Sequence, residues 1–395
     1  MNSPLRLLRI DRNAIVLLIA LMMLFATPLI GQQIEASDDY SMRIAQAYNF
    51  YYGDTTYLLW NAPAFSILIY LMYSLLPLLG WIGATILLST LFYIATAVVV
   101  YRVLAAELPS RSLRTIQALV ILTLALVVIQ PISLTPLINT AEFLVQWINI
   151  SPHHNPTSIA IRGIVLILTL IAVNTVTNNT RYSWQQTVGV MLMVIFSTLI
   201  KPNWLMAFLP VYAVVVLFAW WRGIAWDKRM VLLGFGVSSV LALTITFGLG
   251  IVADNSDLVV RIFTYELTPV RVIKMLLSIA FPLYVAVVWH KELVKDYALL
   301  FAWGVFATGV VQGLIFDEAG FRAGHGNFFW GQSIAGWVLF VLTVRLYIRQ
   351  TNILWQTAMP TSWIWRIATL LLTLHTITGV LWWVAHYGTK PVLFP

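Results

Sequence analysis

The chain is built almost entirely from runs of about twenty apolar residues, which short polar segments separate. A helix of that length crosses the hydrocarbon core of a bilayer, which is about 30 Å thick. Hydrophobic residues occupy 60% of the 395 positions and charged residues only 10%, so the chain has too little polar surface to face water on every side. The sequence therefore predicts an all-α, polytopic membrane protein.

About eleven of these runs are long enough to be transmembrane helices. The predicted spans lie near residues 12–30, 81–104, 116–134, 157–177, 184–200, 203–221, 230–252, 270–289, 297–315, 330–346 and 363–384. The alternating pattern of a transmembrane β-barrel is missing, and no polar stretch is long enough for a separate soluble domain. No small-residue cleavage site follows the first run, so we expect a retained helix there. These features predict a helical bundle that forms one integral membrane domain over residues 1–395.

The charged residues divide between the two sides of this predicted bundle. With a cytoplasmic N-terminus, fifteen of the 23 lysines and arginines lie inside, as the positive-inside rule expects: Arg6, Arg9, Arg12, Arg102, Arg111, Arg114, Arg181, Arg222, Lys228, Arg229, Lys291, Lys295, Arg345, Arg349 and Arg366. Ten of the fifteen acids then lie outside: Glu35, Asp38, Asp39, Asp54, Glu142, Asp254, Asp257, Glu266, Asp317 and Glu318. Because the basic residues stand at the ends of apolar runs, the net charge of +8 indicates topology and not nucleic-acid binding. We expect a bacterial or archaeal plasma membrane protein.

Two further apolar segments do not fit as spans in this topology. If residues 64–79 crossed the membrane, every later basic loop would change sides, so we expect a helix in the outer interface there. Residues 137–150 are predicted to be a second interfacial segment for the same reason. The expected extracytoplasmic loops are residues 31–80, which include the first interfacial helix, and residues 135–156, 253–269 and 316–330.

The first outer loop places two adjacent acids just after the first span. Asp38 and Asp39 follow Ser37 and precede a segment with an apolar helical face, which predicts a helix start at the water boundary. Solvated acids are common at such positions. The alternative is functional: a carboxylate held at that boundary can act as a general base on a hydroxyl group.

The second outer loop carries Glu142 and the sequence SPHHNPT, which leads into the fourth predicted span. His153 and His154 fit interfacial structural residues, and they also fit donors to a phosphate or a sugar. A metal site is the third possibility, although no histidine at helical spacing completes a ligand set and the chain has no cysteine. Asn155 belongs to the same polar group.

Lys201 interrupts an apolar stretch, with about fifteen apolar residues on either side of it. A lysine there costs several kcal/mol unless it reaches water or a partner. It either extends its ammonium group to the interface or serves as a fixed cation for a lipid-borne phosphate. Pro202 interrupts the helix at the same place.

The last outer loop, FDEAGFRAGHGNFFWG, combines glycines with an acid, a base and an imidazole, namely Glu318, Arg322 and His325. It lacks the Gly-Lys-Ser/Thr ending of a P-loop, and no strand precedes it as in a dinucleotide fingerprint. The loop at 253–269 adds Arg261 and Glu266. This variety of polar side chains at a membrane boundary favours a binding role over a simple turn.

The arrangement of Asp38-Asp39 after the first span, an interfacial helix, His153-His154-Asn155 before a later span and Lys201-Pro202 resembles the GT-C glycosyltransferase superfamily. The resemblance implies a polyprenyl-phosphate sugar donor, a glycolipid or glycan acceptor, and an inverting transfer for the cell envelope. It implies Asp39 as general base and Asp38 as the residue that orients the acceptor. Because the leaving lipid phosphate gains charge, the candidate phosphate-binding cations are Lys201, Arg322 and His325, with Arg261 in reserve. The candidate substrate-binding residues are His153, His154, Asn155, Glu142, Glu266 and Glu318, and the last two either bind sugar hydroxyls or pair with those cations.

The sequence requires no cofactor, although a divalent metal is compatible with it. Two rival functions stay open. A polymerase or ligase of lipid-linked glycans also works at the outer face, and a lipid or solute transporter has the same helical build. Transporters often place charges near the membrane midplane and show related halves, whereas this chain places charges at the outer rim and shows no repeat. The pattern therefore favours an enzyme.

Overall fold

A computed structural model describes residues 12–36, 38–54, 63–108, 112–129, 134, 155–177, 181–253, 258–260, 269–318, 328–356 and 362–388. Fifteen α-helices lie in these ranges. In chain order they are α1 (Arg12–Ala36), α2 (Asp38–Tyr51), α3 (Ala64–Leu75), α4 (Gly80–Ala105), α5 (Leu113–Leu124), α6 (Pro156–Thr177), α7 (Trp184–Ile200), α8 (Asn203–Trp221), α9 (Ser238–Ala253), α10 (Pro269–Ser278), α11 (Ala280–Val288), α12 (His290–Leu293), α13 (Tyr297–Ile315), α14 (Phe329–Gln356) and α15 (Trp363–Gly388). The predicted all-α membrane fold is confirmed at this level.

Seven segments of the described chain are long and apolar enough to cross a membrane. They belong to α1, α4, α6, α8, α13, α14 and α15. Each coincides with a predicted span. A multi-pass integral membrane protein therefore follows from the structure, whereas the count of eleven crossings stays a prediction.

The other four predicted spans have shorter or broken helices. The helical segments Leu113–Ile129, Trp184–Ile200 and Met230–Thr246 are apolar but shorter than 18 residues. The predicted span at 270–289 is divided at Ile279 into α10 and α11. The interfacial segment predicted at 64–79 contains α3, which ends at Leu75 before a short turn. The one predicted at 137–150 lies outside the described residues.

Large apolar side chains fill the centre of the bundle, where α4, α6, α8, α13 and α14 pack together. Trp204 and Trp337 are among the largest fully buried side chains. Small residues allow close packing between helices: a Cβ atom on Gly163 of α6 would lie 3.1 Å from the backbone of Thr96 in α4. The buried helices of the bundle therefore hold the ends of the spans in fixed relative positions.

One end of the bundle is held by a network of two acids and two arginines, which we call the Arg345 face. Arg349 donates to both carboxylate oxygens of Glu107, at 2.8 and 2.9 Å. Arg345 donates to both oxygens of Asp296, at 2.6 and 2.5 Å, and lies 3.5 Å from Glu107. The network joins the end of α4, the start of α13 and the last turns of α14. Charges that pair in this way need not face lipid.

The opposite end, which we call the Asp39 face, holds the start of α2, the start of α6, the end of α7 and the start of α14. A short antiparallel sheet joins two of the predicted outer loops beyond α9 and α13. Its strands are β1 (Leu258–Val260) and β2 (Phe316–Glu318), with Val259 opposite Asp317. The sequence did not predict these strands, because three residues are too few for a recognisable pattern.

Candidate functional site

Two polar groups that the sequence singled out separately are in contact. The side-chain nitrogen of Asn155 donates a hydrogen bond to Oδ2 of Asp39 at 3.0 Å, across 116 positions of sequence. Asp39 lies in the first turn of α2 and is partly exposed, whereas Asn155 is buried. An amide donor on one oxygen fixes the orientation of this carboxylate.

Asn155 is itself held in place by the start of α6. Its Oδ1 accepts hydrogen bonds from the hydroxyl of Thr157 at 2.6 Å and from the backbone N–H of Ser158 at 3.0 Å. This is the geometry of an asparagine N-cap, which satisfies a backbone donor that the helix leaves unpaired. Because the oxygen caps the helix, the nitrogen points away from it toward Asp39. The cap of one helix therefore positions the carboxylate of another.

A buried tyrosine lies next to Asp39. Tyr40 is fully buried, and its surroundings include Ser89 and Tyr93 of α4 as well as Asp39. Burial raises the pKa of Tyr40 well above its ordinary value, and Tyr93 adds to the rise. Tyr40 therefore stays a neutral phenol at physiological pH.

Sequence analysis missed Arg43, which is one helical turn from Asp39 and on the same side of α2. Its guanidinium is buried and donates to Oε1 of Gln46 at 3.1 Å. The same oxygen accepts a hydrogen bond from Ser66 of α3 at 2.8 Å. The available signal was a single arginine in a helix with an apolar face, although the pattern gives no sign that the arginine is buried.

Sequence analysis also missed Arg162, which is buried within the predicted fourth span. Its guanidinium carbon lies 5.3 Å from the ring centroid of Trp337 in α14, and Tyr93 interacts with it electrostatically. Arg162 lies seven residues after Asn155, about 10 Å deeper along α6. A charge inside an apolar run is a signal that sequence analysis can use. Arg162 therefore places a buried positive charge inside the bundle, below the end of α6 that Asn155 caps.

Lys201 lies between α7 and α8, as its position beside Pro202 predicts. Its Nζ is 4.5 Å from the ring centroid of Trp330 at the start of α14. This distance gives a cation–π interaction, which orients the ammonium group at the Asp39 face. The aromatic end of the last outer loop therefore touches the predicted phosphate-binding lysine.

The remaining predicted site residues are not placed by the described structure. Only the backbone of Asp38, in α2, and of Glu318, in β2, is described. Seven others lie outside the described residues: Glu142, His153, His154, Arg261, Glu266, Arg322 and His325. Within the described ranges no group of three His, Asp or Glu side chains is arranged to hold a metal ion. The roles predicted for these residues stay predictions.

Comparisons of the chain with protein family models, with curated proteins and with solved structures found no match. An oriented carboxylate with a partly exposed surface is suited to accept a proton, and a fixed ammonium group is suited to bind an anion.

Proposed function

We propose that the protein is a membrane glycosyltransferase of the GT-C type. It moves a sugar from a polyprenyl-phosphate donor to a hydroxyl group of a glycolipid or glycan acceptor at the Asp39 face. The observation that carries this proposal is the hydrogen bond from Asn155 to Asp39. It links Asp39 of the acidic pair to the polar segment before α6, and these are two of the four features on which the resemblance depends.

The reaction uses the carboxylate of Asp39 as a general base. The acceptor hydroxyl gives its proton to Asp39 while its oxygen attacks the anomeric carbon of the donor. The new bond forms on the side opposite the phosphate, so the configuration inverts. The bond from the anomeric carbon to the phosphate oxygen breaks, and its electron pair leaves with the polyprenyl phosphate. Asn155 donates to one oxygen of Asp39 and so orients the carboxylate that takes the proton.

The leaving phosphate gains negative charge during the transfer, so a cation fixed beforehand lowers the barrier. Lys201 has this role in the proposal, because Trp330 already orients its ammonium group. A tryptophan ring is a weaker partner for the ammonium than a phosphate dianion. The phosphate therefore competes well with the Trp330 ring for the ammonium group of Lys201.

Purified protein in nanodiscs tests the proposal. A panel of polyprenyl-phosphate sugars is supplied with a mixture of membrane lipids as acceptors, and the release of polyprenyl phosphate is followed by mass spectrometry. We expect release from one donor in the panel. We expect the Asp39→Asn variant to be slower by about 100-fold or more, because a general base commonly contributes that factor.

Glu35→Gln is the matched control, since Glu35 is an exposed acid near the end of α1. It should release polyprenyl phosphate at the wild-type rate. Full activity in a folded Asp39→Asn protein would refute the proposed base. If no donor is turned over by folded protein, the same panel is replaced by lipid-linked oligosaccharides, which a polymerase or ligase uses, and by transport assays.

A further inference from the structure

One carboxylate joins the segment before α7 to the segment that follows α8. Asp227 accepts hydrogen bonds from the backbone N–H of Tyr182 at 2.8 Å and from the backbone N–H of Met230 at 3.1 Å. The side chain of Arg229 donates to the backbone carbonyl of Tyr182. These bonds hold the two segments together as a fixed junction.

Three cations lie at this junction, and we call Arg181, Lys228 and Arg229 the basic cluster. Arg181 and Lys228 are exposed and stand next in the chain to Tyr182 and Asp227. The ion pairs of the described residues lie elsewhere in the protein. Three positive charges and the one negative charge of Asp227 leave a net charge of +2. The basic cluster is therefore complementary to an anion.

An apolar stripe leads from the basic cluster along α7. Trp184, Val188 and Leu192 follow one another at intervals of four residues, so they lie on one face of the helix, and all three are exposed. We call them the α7 stripe, which is about 12 Å long. The guanidinium carbon of Arg229 lies 4.8 Å from the ring centroid of Trp184. The stripe therefore begins at a cation of the basic cluster.

The basic cluster lies at the membrane boundary on the side away from the Asp39 face. α7 runs about 24 Å from Trp184 to its end at that face. α8 returns from there, is long and apolar enough to cross the membrane, and ends at Trp221, six residues before Asp227. Trp220 and Trp221 are exposed, and tryptophan is enriched at the level of the lipid headgroups. A headgroup phosphate therefore lies at the depth of the basic cluster.

We propose that the basic cluster and the α7 stripe together bind a phospholipid with an anionic headgroup. The headgroup phosphate receives charge-assisted hydrogen bonds from Arg181 and Lys228, and one acyl chain lies along the stripe. The choline of a zwitterionic phospholipid brings a positive charge to the same place, which the net charge of the cluster disfavours. The lipid site does not depend on the proposed transfer reaction, and its tests do not use activity.

Native mass spectrometry of the purified protein tests the selectivity for anionic lipid. The protein is titrated with phosphatidylglycerol and with phosphatidylcholine that have the same acyl chains, and we expect phosphatidylglycerol to bind more tightly. Arg181→Gln and Lys228→Gln should each lower the affinity for phosphatidylglycerol about fivefold, the usual contribution of one cation near an anionic lipid surface. Both variants should bind phosphatidylcholine as wild type does. Because both side chains are exposed, the substitutions leave the fold intact.

Lys295→Gln is the matched control, because Lys295 is an exposed cation on the same predicted side of the membrane and already pairs with Glu292. It should bind phosphatidylglycerol as wild type does. Equal affinity of the wild-type protein for the two lipids would overturn the inference. An equal loss of affinity in all three variants would also overturn it, since the effect would then come from overall charge and not from the basic cluster.

Photo-crosslinking in nanodiscs tests the place of the acyl chain. Phosphatidylglycerol and phosphatidylcholine each carry a diazirine in one acyl chain, and the crosslinked peptides are mapped by mass spectrometry. We expect phosphatidylglycerol to label residues 184–192 more strongly than phosphatidylcholine does, and the Arg181→Gln/Lys228→Gln double variant to lose this excess. Val16 and Leu24, exposed side chains of α1, are the reference and should be labelled equally by the two lipids. Equal labelling of residues 184–192 in wild type, or an excess that survives in the double variant, would contradict the proposed site.

Discussion

At the scale of single residues, the side chain of Asn155 makes two kinds of hydrogen bond, and substitution can separate their effects. Its oxygen caps α6 and its nitrogen holds Asp39. Serine is also a good N-cap but cannot donate in place of the amide nitrogen. We therefore expect Asn155→Ser to keep the thermal stability of the protein and to lower the rate of polyprenyl phosphate release. Asn155→Ala should lower the rate and also cost about 1 kcal/mol of stability.

The thermal unfolding of each purified variant reports on the cap of α6, and its rate of polyprenyl phosphate release reports on the hydrogen bond to Asp39. An Asn155→Ser protein with wild-type release would mean that the hydrogen bond to Asp39 has no effect on the reaction.

At Lys201, substitution can separate the effect of the positive charge from that of the length of the side chain. Lys201→Met keeps much of the apolar length of the side chain and removes the charge, so we expect it to weaken polyprenyl phosphate binding about tenfold. Lys201→Arg keeps a positive charge that can lie over the Trp330 ring, and should bind polyprenyl phosphate more tightly than Lys201→Met. Native mass spectrometry of protein titrated with polyprenyl phosphate measures both. Equal binding by the Met and wild-type proteins would exclude Lys201 as the phosphate-binding residue.

At the scale of helices, glycines set how closely α8, α13 and α14 approach each other near the Asp39 face. A Cβ atom on Gly331 would lie 2.6 Å from the carbonyl oxygen of Asn203, and one on Gly309 would lie 2.7 Å from the backbone nitrogen of Gln332. Backbone atoms cannot yield as side chains do, so we expect Gly331→Ala and Gly309→Ala each to cost about 1–3 kcal/mol.

Gly189 of α7 is the control, because no atom lies within 4 Å of its Cβ position. Gly189→Ala should be neutral or stabilising by about 1 kcal/mol, since alanine favours the helix. Thermal unfolding in detergent compares the three variants. Equal unfolding temperatures for Gly189→Ala and Gly331→Ala would contradict the close approach of α8 and α14.

Some features of the helices could be predicted from the sequence, and others could not. Long apolar runs predicted the seven longest spans, because a bilayer-crossing helix is encoded locally by length and composition. The break at Ile279 was missed, although Pro282 in the first turn of α11 is a local signal for it, because proline has no backbone N–H to continue the preceding helix. A tertiary contact adds to it: the backbone nitrogen of Phe281 donates to Nε2 of His375 in α15 at 3.4 Å. The contact between Asp39 and Asn155 was beyond a local pattern, although both residues were predicted as site residues. The burial of Arg43 depends on α3, which the sequence places nearby without giving its contacts.

At the scale of the whole molecule, the Arg345 face ties together helices that are far apart in the chain. Sequence patterns assign no role to Glu107 or Asp296, yet each pairs with arginines of α14. Removing one partner of a buried ion pair leaves the other charge uncompensated, at a typical cost of about 3–5 kcal/mol. We expect Asp296→Asn to destabilise the protein by an amount near the lower end of that range, since Arg349 is 35% exposed.

This stabilisation should depend on pH. Burial alone would raise the pKa of Asp296, but the ion pairs and hydrogen bonds with Arg345 and Arg349, together with the N–H of Leu299, hold it below the ordinary value of 3.8. A carboxyl group whose pKa is lower in the folded state stabilises the protein fully above the unfolded pKa and loses that contribution as the pH falls through the folded pKa. The difference in unfolding temperature between wild type and Asp296→Asn should therefore be constant from pH 7 to about pH 5 and shrink below about pH 4.

Glu292→Gln is the control, because its salt bridge with Lys295 is exposed and contributes little. Its unfolding temperature should stay close to that of wild type over the same pH range. A constant difference between wild type and Asp296→Asn down to pH 3 would mean that Asp296 keeps its charge there, or that the network does not stabilise the fold through that charge. The Asp296→Asn difference at neutral pH separates these outcomes, since a charge that stabilises the fold must give a large difference there.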